Sequence, residues 1–262
     1  MSGREKMLAN EPVGRLIWRL SLPAMVGMFV NGLYNLVDTI YIGHGVGSMG
    51  IAGLSVAFPI QMIIGGTGLM LGVGTASLIS RSLGAKDYDK AQRAFGNNLL
   101  ATLLLGLIYI FLGRSFLPSI LALFGASAQI MPYASEYMSV IFLGSPLIIF
   151  TMSMNNVIRS EGAARTAMWS MLVGAIANII LDPIFIFALG MGIRGAAVAT
   201  VLSRVLVISW IVWFFQSGNS ILSLRARDLA PRFSILREIL TIGFPAFLQH
   251  ASSSLVDRKS VV

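Results

Sequence analysis

An all-α integral membrane protein is the fold class this sequence predicts: a six-helix transmembrane bundle followed by the start of a seventh helix. Three observations lead there. The chain is 56% hydrophobic and only 11% charged over 262 residues, more apolar side chain than a soluble domain of this length can hide from water. Six apolar runs each reach the roughly 20 residues that a helix needs to cross a bilayer core. The connections between those runs alternate between basic and nearly uncharged, the pattern of a chain threaded repeatedly through a membrane.

The runs cover about 16–42, 51–80, 94–117, 133–158, 165–189 and 195–216, and a seventh begins near 235. Segment 1–19 carries Arg4, Lys6, Arg15 and Arg19; the second connection Arg81, Lys86, Lys90 and Arg93; the fourth Arg159 and Arg165; the sixth Arg225, Arg227, Arg232 and Arg237. The intervening connections hold only Arg114 and Arg194. Fourteen basic residues against two place the N-terminus and the sixth connection on the cytoplasmic side of a cell membrane by the positive-inside rule. The expected organisation is a cytoplasmic segment 1–15, a six-helix lobe 16–216, a cytoplasmic linker 217–234 and the start of helix 7 over 235–256.

The same distribution accounts for the net charge of +8 without nucleic acid as a partner, since the bases sit in short stretches between apolar runs. No cleavable leader is expected, because the first run is long enough to span and lacks a small-residue cleavage site. With no cysteine, thiolate metal sites are excluded, and with His44 and His250 isolated from each other a histidine site is not expected. Trp169, Trp210 and Trp213 suit an interfacial belt, and most of the 14 methionines read as packing.

Glycines crowd the second run, in Gly65-Gly66-Thr67-Gly68 and Gly72-Val73-Gly74. No Gly-Lys-Ser/Thr follows, so close helix packing rather than phosphate binding is expected. Leu22-Pro23-Ala24 in the first run is echoed by Phe244-Pro245-Ala246 in the seventh, a hint that a six-helix unit repeats. The last hexapeptide, Asp257-Arg258-Lys259-Ser260-Val261-Val262, breaks a half-crossed helix with charge. It reads as translated adapter sequence, and genuine coding sequence is expected to continue past Val256 into a second lobe.

Ionisable residues within the runs are few: Asp38, Glu136, Asp182 and Arg204. A charge at mid-helix costs about 2.5–3.5 kcal/mol on insertion scales, so each calls for a reason. Asn31, Asn35 and Asp38 fall at i, i+4 and i+7 on one helix face, and Asn178 and Asp182 are again i, i+4. Running each helix in its assigned direction brings Asp38, Asp182 and Thr200 to one depth, a turn or two from the outer surface. An all-oxygen set with two carboxylates suits a proton or a hard monovalent cation such as Na+, with Asp38 and Asp182 as its charged ligands. Burial and mutual repulsion both oppose two simultaneous charges there, so protonation competes with a bound cation. The competing reading makes these groups interhelical hydrogen-bond glue. Pro183, after Asp182, frees a carbonyl near Ile179 as a further oxygen ligand, and Pro23 is a kink or a hinge. Glu136 is expected at the outer interface, and Arg204 to pair with an aspartate, line a wet cavity or snorkel.

Five segments in order resemble the first half of the MATE (multidrug and toxic compound extrusion) family. They are Ser21-Leu22-Pro23-Ala24 leading to Val37-Asp38-Thr39; Ser80-Arg81-Ser82-Leu83-Gly84-Ala85-Lys86-Asp87; Arg159-Ser160-Glu161-Gly162; Asn178-Ile179-Ile180-Leu181-Asp182-Pro183; and Gly195-Ala196-Ala197-Val198-Ala199-Thr200. The resemblance covers nearly all of 10–256. It implies one lobe of a twelve-helix transporter that exports lipophilic, often cationic compounds against H+ or Na+, with no cofactor and no enzymatic step. It matches Asp38, Asn178, Asp182 and Thr200 to a cation-coupling network, Pro23 to a bending proline of the first helix, and Tyr137 and Asn155 to cavity positions. Asn31 and Asn35, on the stripe that Asp38 ends, are expected on the same cavity wall. The rival readings are a lipid-linked oligosaccharide flippase, which needs several cavity cations, and a non-transporting enzyme or scaffold, for which no motif speaks.

Overall fold

A computed structural model describes residues 11–223 and 226–257. Seven long helices follow one another: α1 Val13–Val46, α2 Ser48–Gly84, α3 Tyr88–Leu123, α4 Met131–Ser160, α5 Ala164–Pro183, α6 Gly192–Gln216 and α7 Phe233–Asp257. The first six are long and apolar enough to cross a membrane, α5 counted with the π-helical turn Ile184–Ala188 that continues it. The described residues contain no strand. Five of the six expected runs fall inside one of these helices, and the fifth, 165–189, spans α5 and its π turn and runs one residue past them; the sixth connection carries a short 3-10 turn, Ala226–Leu229. Residues 258–262, most of the tail suspected of being foreign, lie outside the described residues.

Local chemistry explains where the helices stop. Gly47 alone separates α1 from α2, at φ 81°, a left-handed conformation that glycine adopts without penalty. The turn between α4 and α5 uses Gly162 at φ 75° in the same way. Asp87 caps α3, its carboxylate accepting from the Lys90 amide at 2.9 Å, which satisfies one of the donors a helix start leaves open. Such short links force successive helices to run antiparallel. All the even-numbered links and the N-terminal end of α1 therefore gather at one end of the bundle, here called the basic end because Arg81, Lys86, Lys90 and Arg159 lie there.

The helices form two triads. In one, α2, α3 and α4 pack on one another, with α2 against α4 the most extensive contact of the fold; in the other, α5 lies between α1 and α6. The α4–α6 contact joins them. The glycine runs act as the close-packing reading expected: a Cβ on Gly68 would come within 2.9 Å of the Ile149 carbonyl of α4, and one on Gly72 within 2.9 Å of Ser153 Cα. Seams between helices are tied by polar side chains, Thr67 to Tyr109 at 2.8 Å and Ser153 to Asn98 at 2.9 Å, where no water competes.

Helix α7 docks on α2, the second most extensive contact in the fold. The approach is backbone on backbone: an added Cβ on Gly74 would meet the Ile239 carbonyl at 2.0 Å, and one on Gly243 the Met70 carbonyl at 1.9 Å. At the basic end, Glu238 of α7 pairs with Arg81 at 2.9 Å and with Lys90 at 3.3 Å. Both proline-centred segments of the suspected repeat lie inside long helices, Pro23 in α1 and Pro245 in α7.

Candidate functional site

A cavity of about 180 Å3 opens between the triads. Helix α1 contributes Asn31, Tyr34, Asn35, Asp38 and Thr39, the stripe that its periodicity predicts. Gln61 of α2, Tyr137 of α4, Thr200 and Arg204 of α6 and His250 of α7 complete the polar wall. Tyr137 is buried and its hydroxyl accepts from Gln61 Nε2 at 3.0 Å, so its ring is held from α2 rather than free to turn. Asn35 donates to the Asn31 carbonyl at 2.9 Å.

Asp38 and Asp182 meet at the end of this cavity farther from the basic end. Asp38 is 6% and Asp182 0% exposed, and their carboxyl groups lie within hydrogen-bonding reach of each other. Asn178 donates to Asp182 Oδ1 at 3.0 Å from one turn earlier in α5. The π turn that follows Pro183 sets this meeting point. It is wedged between α1, where a Cβ on Gly45 would strike Ile186 at 2.5 Å, and α6, where one on Gly195 would strike the Phe185 carbonyl at 2.7 Å. Tight contacts on both sides of the turn carry Asp182 to α1, while Thr200 of α6, itself buried, lines the cavity with Asp38.

Three oxygens of this cluster, Asp38 Oδ1, Asp182 Oδ2 and Asn178 Oδ1, are buried without any hydrogen-bond donor. Orphaned acceptors of this kind are rare in a folded interior and mark a missing partner. Two carboxylates in contact at this depth cannot both stay charged alone, so the arrangement can take up a proton between them or a hard cation among the three oxygens. The set is all oxygen, as a hard cation requires.

Asn155 lies elsewhere. Expected on the cavity wall, it is instead buried in the seam between α4 and α5, donating to the Ala167 carbonyl and to Ser170 Oγ, both at 2.9 Å. With both amide donors spent on α5, the side chain at that position serves packing. Asn178 and Asp182 do not line the cavity either; they stand behind Asp38, reached through it. Glu136 is exposed near the start of α4, as expected.

Arg204 has a partner that the residue pattern did not single out. Its Nη2 donates to Tyr34 Oη at 2.9 Å, and its guanidinium carbon lies 5.9 Å from the centre of the Tyr34 ring. Tyr34, at i+4 before Asp38, was an available signal: an aromatic hydroxyl on the polar stripe of α1.

Sequence reasoning also passed over the anchors of the sixth connection. Glu161 is fully buried and accepts from Ser220 Oγ and from the Ile221 amide at 3.0 Å. Gln92 exchanges hydrogen bonds with the backbone of Ser223, its oxygen accepting at 3.0 Å. Asn97 accepts from the Arg232 amide at 2.7 Å and donates to the Ala230 carbonyl. A polar residue buried at the membrane-proximal end of a helix, as Glu161 and Asn97 are, was the only clue.

Comparison with known proteins agrees with this architecture. The family model MatE matches residues 23–184. Multidrug export protein MepA of Staphylococcus aureus is 34% identical over 239 residues, which cover 91% of this chain and 53% of MepA. Crystal structures of MATE in the straight and in the bent conformation align with TM-scores of 0.88 and 0.89, at 37% and 36% identity, covering 97% of this chain and 56% and 57% of theirs. The chain thus spans about half the length of the relatives it matches. With the matched model running from Pro23 through Asp182 and the whole bundle superimposing on solved members, the chain belongs to the MATE family.

Proposed function

We propose that this chain acts as one lobe of a multi-pass, cation-coupled antiporter of the cell membrane that exports lipophilic, often cationic small molecules, with its basic end in the cytoplasm. The observation that carries the reading is the trio of buried acceptors without donors at Asp38, Asp182 and Asn178. Similarity to a protein named for multidrug export supports the transport half of it.

The coupling ion, H+ or Na+, enters between Asp38 and Asp182 and is held with Asn178 and Thr200. Its charge or proton cancels the repulsion between the acids and draws α1 onto α5; when it leaves, the acids separate. Helix α1 can answer such a change because Pro23 leaves the Arg19 carbonyl without its helical donor and because the flanking residues Leu22, Met25, Val26, Met28 and Phe29 are exposed rather than packed. A bend at Pro23 moves Asn31 and Asn35 relative to Tyr137 and so reshapes the wall that receives substrate. Ion and substrate then favour different shapes of one cavity, the condition for exchange rather than co-transport. The ion pairs of Glu238 with Arg81 and Lys90 tie α7 to α2 and α3 at the basic end.

Efflux of a fluorescent cation from cells expressing the complete gene product tests the reading. Asp38→Asn and Asp182→Asn are each expected to lower energised efflux at least about tenfold at unchanged expression. Unchanged efflux in both variants would defeat it. Varying external Na+ at fixed pH assigns the ion.

A further inference from the structure

Arg204 stands on the cavity wall as a cation in a membrane span, and none of the ion pairs among the described residues involves it. Placing a guanidinium in a membrane span costs several kcal/mol unless something answers its charge. What answers it here is neutral: the Tyr34 hydroxyl and the face of the Tyr34 ring. Its Nε–H is buried and donates to nothing. Tyr34 is itself buried, so it holds the guanidinium in a fixed orientation at the wall.

The charged groups around it are few. Asp38 lines the same cavity, one helical turn from Tyr34 along α1, and is engaged with Asp182. His250 of α7 faces the cavity from the other side, and no other ionisable side chain but Tyr34 and Tyr137 lines it. Around these stand amide groups, Asn31, Asn35 and Gln61, and apolar surface from Leu54, Phe58 and Met62. A guanidinium held by Tyr34 on the cavity wall, beside amides and apolar surface, matches a planar carboxylate on an amphiphilic molecule.

We propose that Arg204 is a specificity-determining residue that makes this cavity favour amphiphiles carrying a carboxylate, zwitterions above all, over purely cationic analogues of the same shape. The proposal rests on the export reading and narrows its substrate class. The carboxylate would accept from the Arg204 guanidinium, while the cationic portion of the molecule lies among the amides and the Tyr137 ring. A monocation of the same shape gains nothing from Arg204 and meets its repulsion.

Rhodamine 110, which carries a free carboxylate, and rhodamine 123, its methyl ester, differ in that one charge. Efflux of both is measured in cells expressing the complete gene product, as wild type, Arg204→Met and Arg204→Lys. The expected result is a fall of about tenfold in the rhodamine 110 to rhodamine 123 efflux ratio for Arg204→Met, the worth of one charge-assisted contact, with partial recovery in Arg204→Lys. An equal loss of both dyes would make Arg204 a structural or ion-coupling group, and an unchanged ratio would leave it no part in selection; either overturns the proposal. If the wild type exports neither dye, the export reading is what fails. Fluorescence-polarisation binding of the two dyes to purified wild type and Arg204→Met then decides the specificity claim by the same ratio.

Discussion

Glu161 and Ser220, 59 residues apart, are joined by two hydrogen bonds from one hydroxyl, 2.8 Å and 2.9 Å long. The carboxylate sits in the turn between α4 and α5, wholly buried, and fixes the start of the connection that leads to α7. Replacing it with glutamine keeps the shape but turns one acceptor into a donor facing another donor. We expect Glu161→Gln to cost about 2 kcal/mol, read as a lower thermal unfolding midpoint of the purified protein, and to expose 217–223 to protease.

Asn155 and Asn31 separate packing from recognition. Asn155 is spent on Ala167 and Ser170, so Asn155→Leu should lower stability by about 1–3 kcal/mol while the relative efflux of different dyes stays constant. Asn31→Leu alters the cavity wall instead, and its expected signature is the reverse: a changed dye preference at an unchanged unfolding midpoint.

Gly74 and Gly243 tolerate no side chain without movement, because an added Cβ would lie about 2 Å from a carbonyl oxygen on the facing helix. Gly74→Ala should therefore push α7 off α2 at a cost of about 1–3 kcal/mol. Paired spin labels at exposed positions of the two helices measure this directly; an unchanged distance distribution would count against the crossing.

Pro23→Ala restores the helical bond to the Arg19 carbonyl that proline removes. The expected outcome is a stiffer α1 that still binds dye but exports it more slowly, so that equilibrium binding is kept while the efflux rate falls several-fold. Equal loss of both would place Pro23 in packing, not in motion.

The helices and the approach of Asp38 to Asp182 were legible in the sequence, because each follows from a short-range regularity: run length and the i, i+4, i+7 stripe on α1. What was not legible depends on rotation about a helix axis or on distant chain. Asn155 is one of two adjacent asparagines, and only the packing of α5 decides which faces inward. Of the three expectations for Arg204, lining a cavity holds and pairing with an aspartate does not; the stripe residue that it reaches is Tyr34. The contacts of Glu161, Gln92 and Asn97 join segments 59 or more residues apart, a separation at which no local pattern carries information. The π turn after Pro183 has no compositional mark beyond the proline.

The α2–α7 crossing constrains how the two helices can travel. Side chains can yield by changing rotamer, but backbone carbonyls set against glycine cannot, so α7 can pivot there and cannot slide or be compressed. Gly243 is thereby a fulcrum. His250 lies seven residues beyond it, a lever arm of roughly 10 Å at 1.5 Å per residue, and a tilt of about 10° carries the imidazole about 2 Å. A rearrangement too small to open the crossing is thus enough to advance or withdraw the imidazole at the cavity wall.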